Sequence, residues 1–220
     1  MVGRGDTPAR NVIGLLDWYR LSKEVLLVLE RPVPCKDLCD FLEDEEDWLV
    51  EDEAKVIMRQ LVEATLDIHS RGVVHRDLKP KNVLVETGSG HPRVHVIDFG
   101  CGSVLREKPY TSFSGTRAYT APEWYQKHEF YAEPSTVWQL GVVLHQMVTG
   151  ERPFNGEEEI VHKKLDLWRF VSRDCQDLLR RCLDKRPLAR PTMAEILQHP
   201  WLQCCSTDVM LRLWVWPCPC

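Results

Sequence analysis

His75-Arg76-Asp77-Leu78-Lys79-Pro80-Lys81-Asn82 opens the stretch on which the rest of the chain is read. An apolar Val83-Leu84-Val85 follows, then a turn-like Gly88-Ser89-Gly90, a second apolar run from Val94 to Ile97, and Asp98-Phe99-Gly100. The pattern is strand, turn, strand, with polar chemistry at each outer end. A hairpin of this kind brings Asn82 and Asp98 near one another. Two oxygen ligands so placed suit magnesium, which binds through few protein oxygens and keeps phosphate oxygens as co-ligands. Taken singly, each of these residues is most often a surface charge or a helix cap; the weight lies in both motifs occurring whole and in order.

Outward from this stretch, the totals describe an ordinary globular chain. It has 220 residues, 44% hydrophobic and 28% charged, with a net charge of -5. No basic field points to nucleic acid. No apolar run approaches the length of a membrane span, and the polar opening from Met1 to Arg10 does not read as a signal peptide. Nine cysteines, an odd number without paired metal spacing, read as reduced thiols of a cytosolic or nuclear protein.

Val12 to Tyr19 reads as a strand, Ser22-Lys23 as a turn, and the continuous apolar run Val25 to Glu30 as a buried strand, together a two-stranded ribbon. Arg31-Pro32-Val33-Pro34 stops it, because two prolines remove two donors and stiffen the segment. Lys36 to Leu42 is a short helix candidate. Acidic residues crowd Glu43 to Asp47 and Glu51 to Glu53, as at a helix start. Ala54 to Ser70 is the clearest long helix, with Ile57, Leu61, Ala64 and Ile68 on one stripe and Arg71-Gly72 as its C-cap. The loop of about twenty residues after Gly100 is long enough to be functional; Tyr110, Thr111, Ser112 and Ser114 are its candidate phosphorylation sites. Val137 to Met147 reads as a buried helix ending at Gly150, with amphipathic helices at Cys175 to Leu183 and Met193 to Leu197. The Trp-, Cys- and Pro-rich tail from Gln203 lacks zinc-finger spacing and reads as a loose terminus.

His-Arg-Asp-x-Lys-x-x-Asn followed by Asp-Phe-Gly, and later by Ala121-Pro122-Glu123, resembles the catalytic and activation segments of protein kinases. Leu29-Glu30-Arg31-Pro32-x-Pro34 resembles the hinge of the Pim-type serine/threonine kinases. The resemblance covers about Val12 to Trp201. It implies an α+β, kinase-like fold: a remnant small-lobe ribbon over residues 1–30, a hinge at 31–36, a mostly helical large lobe at 37–202 and an atypical tail at 203–220. It also implies ATP and Mg2+ as cofactors. Asp77 would accept the substrate hydroxyl proton, Lys79 would steady the transferring phosphoryl group, and Asn82 and Asp98 would hold magnesium. Glu30, Pro32, Leu84 and Ile97 would line the adenine site, the Glu30 carbonyl accepting from the amino group while Pro32 gives no hydrogen bond. His75 is assigned to packing and backbone bonding. Lys79 with Thr116 resembles the serine/threonine branch, and Glu123 is expected to pair with Arg190.

The expected partners are protein substrates, Arg/Lys-rich ones included, with no nucleic acid or membrane, and the chain is expected to act as a monomer. Two departures stand out. Pro80 and Lys81 replace the acidic residues that this family carries before the magnesium-binding Asn, and Lys81 would repel arginine. Thr136 stands where most kinases have an Asp that supports the catalytic loop, a residue that Pim-type kinases also lack. No glycine-rich loop, strand lysine or partner helix glutamate is found, so weak ATP affinity and low or no phosphotransfer are expected of this chain by itself, with one edge and one apolar face of the ribbon exposed. The function implied is transfer of the ATP γ-phosphate to Ser/Thr of proteins. The alternative is a catalytically impaired kinase fragment that binds partners or substrates.

Overall fold

The computed structural model describes residues 9, 11–45, 47–88, 91–167 and 171–203. The chain begins with an antiparallel hairpin, β1 (Leu15–Arg20) and β2 (Val25–Leu29), turning at Ser22-Lys23. The expected strand from Val12 starts three residues later. Val12 instead bridges to Val96, with the Asn11 carbonyl accepting from Val96 N–H and Ile13 N–H donating back. That splice joins the ribbon to the rest of the molecule.

The reading of Val25 to Glu30 as a buried strand is overturned, and the exposure expected of one face of the ribbon extends to both. Val25, Leu26, Leu27 and Leu29 are all exposed, as are Leu15, Leu16, Trp18 and Tyr19 on the partner strand. A continuous apolar run reports what would be stable if covered. Here no described element lies over it.

After the prolines, β3 (Cys35–Asp37) pairs with β5 (Val83–Glu86), which pairs with β6 (Arg93–Val96). A fourth short strand, β4 (Val73–Val74), pairs with β7 (Ser103–Val104). The helix expected from Lys36 is α1 (Leu38–Asp44), because Asp37 is its N-cap and accepts from Cys39 and Asp40 N–H. Capping of this type is what Asp does best at a helix entrance.

The long helix is α2 (Glu51–Ser70); it takes in the acidic Glu51, Asp52 and Glu53 as its first turn, where the helix dipole favours them. Ile57, Leu61, Ala64 and Ile68 are all buried. Gly72 at φ +73 ends the helix, a conformation that costs glycine nothing. Further helices are α3 (Pro122–Lys127), α4 (Ala132–Thr149), α5 (Glu157–His162), α6 (Arg173–Cys182), α7 (Met193–Leu197) and α8 (Pro200–Gln203). Helix α4 is buried from Thr136 through His145, as a helix apolar on nearly every face must be. It packs between α2 and α6 and carries the centre of the core.

Glu123 and Arg190 meet as expected. The two guanidinium nitrogens donate to the two carboxylate oxygens at 2.9 and 2.7 Å, with side chains 5% and 0% exposed. Arg190 also donates to the carbonyls of Asp184 and Pro134, each at 2.8 Å. Its charge is therefore neutralised and its donors are used, which a buried ion pair requires. The Cys- and Trp-rich tail, together with Ser89 and Gly90 of the expected turn, lies outside the described residues.

Candidate active site

The β5–β6 hairpin sets the frame. Val83 pairs with Val96, and Ile97 N–H donates to the Asn82 carbonyl at 3.0 Å. The residues flanking that bond, Asn82 on one strand and Asp98 on the other, therefore emerge side by side at the open end. Val83, Val85, Val94 and Val96 face the core. Leu84 and Ile97, in the other phase of the alternation, lie on the opposite face of the sheet and are half-buried.

Asp77 is 5% exposed and is held by three donors. Its Oδ1 accepts from Thr116 N–H at 2.8 Å, and its Oδ2 accepts from the Lys79 ammonium at 2.8 Å and from Asn82 Nδ2 at 3.3 Å. Lys79 also reaches Thr116 Oγ1 at 2.7 Å. Partial burial pushes the Asp77 carboxyl up, but the Lys79 and Thr116 hydrogen bonds outweigh it and hold it below the usual carboxylate range. The group is thus an ionised carboxylate at neutral pH.

Asn82 is oriented by a second bond, from Nδ2 to the Asp77 carbonyl at 2.8 Å. With the side-chain amide nitrogen directed at Asp77, Asn82 Oδ1 is left as an acceptor. Asp98 is exposed, sits in the left-handed region (φ 62, ψ 77), and accepts from Gly100 N–H with Oδ1 only. One carboxylate oxygen and one amide oxygen are too few for an all-protein metal cage, and no cluster of three or more acidic, His or Cys residues able to hold a metal exists among the described residues. They do fit a magnesium ion that draws its other ligands from phosphates and water.

His75 does what the sequence assigned to it. Its Nδ1 accepts from Asp77 N–H at 3.2 Å and its Nε2 meets the Ile97 carbonyl at 2.9 Å. A ring that accepts at one nitrogen and donates at the other is neutral. Burial, the dominant influence, keeps its pKa low enough for that. Phe99 packs edge-on against it at 4.9 Å.

Arg76 donates from Nε to the Cys101 carbonyl at 2.6 Å and from Nη2 to the Gly102 carbonyl at 3.4 Å. It thereby ties the catalytic-loop candidate to the segment after Gly100. That segment is anchored again by β7 and by Tyr110, which bridges to Phe130. Tyr110 is fully buried and its hydroxyl donates to the Val104 carbonyl, so it is removed from the candidate phosphorylation sites. Thr111 and Ser112 remain exposed.

The hinge candidates lie where the ribbon meets the larger body. Glu30 N–H donates to Gly14 and the Glu30 carboxylate accepts from Gly14 N–H, so the ladder engages its N–H rather than its carbonyl. Pro32 is half-buried, its carbonyl accepting from the Cys35 thiol. Lys81 lies 3.5 Å from both Asp37 and Asp40.

One residue of the site escaped sequence reasoning. Gln139 of α4 accepts from Leu78 N–H at 3.3 Å and donates to the Arg76 carbonyl at 3.0 Å. Thr136 turns instead toward His69, 3.4 Å away. The available signal was a carboxamide at Gln139, set among the apolar Val137, Trp138, Leu140 and Val142.

A hairpin that juxtaposes Asn82 with Asp98, a clamped Asp77 and a Glu123–Arg190 pair define the large lobe of a protein kinase. The protein kinase domain family model matches residues 5–202, and the chain belongs to that family. Among its relatives is the serine/threonine-protein kinase pim-2 of Danio rerio, 43% identical over 208 residues that cover 94% of this chain and 66% of that one. The serine/threonine-protein kinase prk-2 of Caenorhabditis elegans is 36% identical over 209 residues, 92% of this chain and 47% of that one. Sperm motility kinase 2B of Mus musculus is 36% identical over 199 residues, 87% and 40% respectively. The chain thus spans about two thirds of the first of these relatives and less than half of the other two. The Pim-type resemblance read in the hinge agrees with these matches.

Proposed function

We propose that this chain carries the phosphoryl-transfer machinery of a Pim-like serine/threonine protein kinase. The observation that carries the reading is the Asp77–Lys79–Thr116 cluster beside the Asn82 and Asp98 oxygens. When bound, ATP with Mg2+ supplies the phosphoryl group and part of the charge neutralisation. Asn82 and Asp98 hold the ion. The Glu30 carbonyl, Pro32, Leu84 and Ile97 take the adenine.

The chain's own contribution is positioning and proton transfer. A substrate Ser or Thr hydroxyl sits against Asp77. As the bond from its oxygen to the γ-phosphorus forms and the bond to the bridging oxygen breaks, the hydroxyl proton passes to Asp77. Lys79 keeps a positive charge beside the transferring group, and Thr116 holds both side chains in register. A loose transition state leaves little covalent work for the protein, so such placement carries most of the catalysis.

Binding tests the reading without requiring turnover. Mg2+ with ATP at about ten times its Kd is expected to raise Tm by about 3 °C. Asp98→Asn is expected to remove the part of that rise that depends on magnesium. No shift at millimolar ATP would favour the alternative, a kinase-derived module that binds partners without using nucleotide.

The substrate class proposed is Ser/Thr in Arg/Lys-rich segments, supported by the acidic side chains of Asp37, Asp40 and residues 43–45. Lys81 weakens that preference from within. It lies against Asp37 and Asp40, which raise its pKa and keep it charged. Lys81→Glu is expected to raise the preference for an arginine peptide over its norleucine analogue by about two- to fivefold, the scale of an exposed ion pair. A competition assay between the two peptides reads the ratio, and an unchanged ratio would remove Lys81 from substrate selection.

A further inference from the structure

The peptide units on either side of Asp77 are held by one side chain from outside the loop. Gln139 is 4% exposed on α4. Its Oε1 takes the Leu78 N–H and its Nε2 gives to the Arg76 carbonyl. The amide behaves as a third peptide unit, satisfying the donor just after Asp77 and the acceptor just before it.

That support matters because the backbone there is not at rest. Arg76 has φ +69, a conformation that a residue with a Cβ keeps only when its surroundings impose it. Gly115 passes close to the same carbonyl, with no room for a side chain: a Cβ there would lie 2.5 Å from Arg76 O. The next residue, Thr116, gives its N–H to Asp77 Oδ1. Gln139, through the flanking peptide groups, and Thr116 N–H, at the carboxylate itself, therefore fix the aim of Asp77. Thr136 makes no such contact, since its hydroxyl faces His69.

We propose that Gln139 is the positioning residue of Asp77, acting through the two flanking peptide groups in the place where position 136 has no acid to do so. The residue type follows from the geometry. Leucine would leave a buried N–H and a buried carbonyl unpaired. Glutamate could accept from Leu78 but would oppose the Arg76 carbonyl. A carboxamide serves both, and only in the orientation found. The proposal rests on Asp77 being the catalytic carboxylate, and the test separates the two claims.

The experiment compares Gln139→Leu and Gln139→Glu with Val143→Ala, a buried control on the same helix, all in the full chain. Amide hydrogen exchange at Leu78 and Thr116 is read by NMR at matched global stability. In Gln139→Leu both amides are expected to exchange about tenfold faster than in the control, the scale of one lost hydrogen bond. In Gln139→Glu, Leu78 is expected to stay protected. With a peptide substrate, kcat is expected to fall about tenfold in both Gln139 variants while the KM for ATP stays within about twofold. Unchanged protection at both amides in Gln139→Leu, or the same pattern in Val143→Ala, would overturn the proposal. Should the Leu variant not fold, Gln139→Glu decides through kcat against KM. A wild-type chain without turnover would favour the catalytically impaired alternative and say nothing against Gln139; the exchange data would then decide its role.

Discussion

Asp77→Asn is expected to lower phosphotransfer to a basic peptide by about a thousandfold, within the range lost with a positioned general base. The isostere keeps the Oδ1 acceptor for Thr116 N–H, so the loop should stay in place. What changes is the other end. A carboxamide nitrogen would face the Lys79 ammonium and Asn82 Nδ2, donor against donor, where the carboxylate oxygen now accepts from both. It also offers no lone pair to a departing proton. Nucleotide binding should change little, because Asn82 keeps its 2.8 Å bond to the Asp77 main-chain carbonyl and Asp98 is unaltered. A turnover assay paired with the Mg2+–ATP melting shift checks both halves. Equal turnover in wild type and variant would remove Asp77 from the chemistry.

The largest stability effect is expected at the Glu123–Arg190 pair. Glu123→Gln should cost about 3–5 kcal/mol, since it leaves a buried guanidinium without its counter-charge. Arg190→Met should cost a similar amount by stranding the carboxylate, and also frees the Asp184 and Pro134 carbonyls that Arg190 now satisfies. The double variant Glu123→Gln/Arg190→Met should recover part of the loss, because replacing both charges removes the uncompensated ion. Urea denaturation measures all three. Single-variant losses within 1 kcal/mol would show that water reaches the pair.

The fold was most legible where side-chain chemistry and backbone pattern agree. Residues 75–100 combine turn chemistry, alternating burial and two polar motifs, and the hairpin stands with Asn82 and Asp98 at its open end. The stripe of Ile57, Leu61, Ala64 and Ile68 likewise needs no tertiary information, only the helical period. Failures came where the outcome depends on a partner distant in sequence. Val25 to Leu29 is as apolar as any core strand, yet burial is decided by what lies across from it. Tyr110 reads like any loop hydroxyl until Phe130 stacks on it at 5.2 Å. Gln139 is the clearest case: its two bonds reach back more than sixty residues, and no local period announces them.

The guanidinium of Arg76 has a further meaning. Two of its five N–H donors, one on Nε and one on Nη2, are engaged with the main-chain oxygens of Cys101 and Gly102, and Thr116 is latched to Asp77 from that segment's far end. A phosphate added on Thr111 or Ser112 would meet a cation already bound to its own segment. These contacts align the loop with no phosphate among them, so a covalent mark there would act on a site that is already assembled.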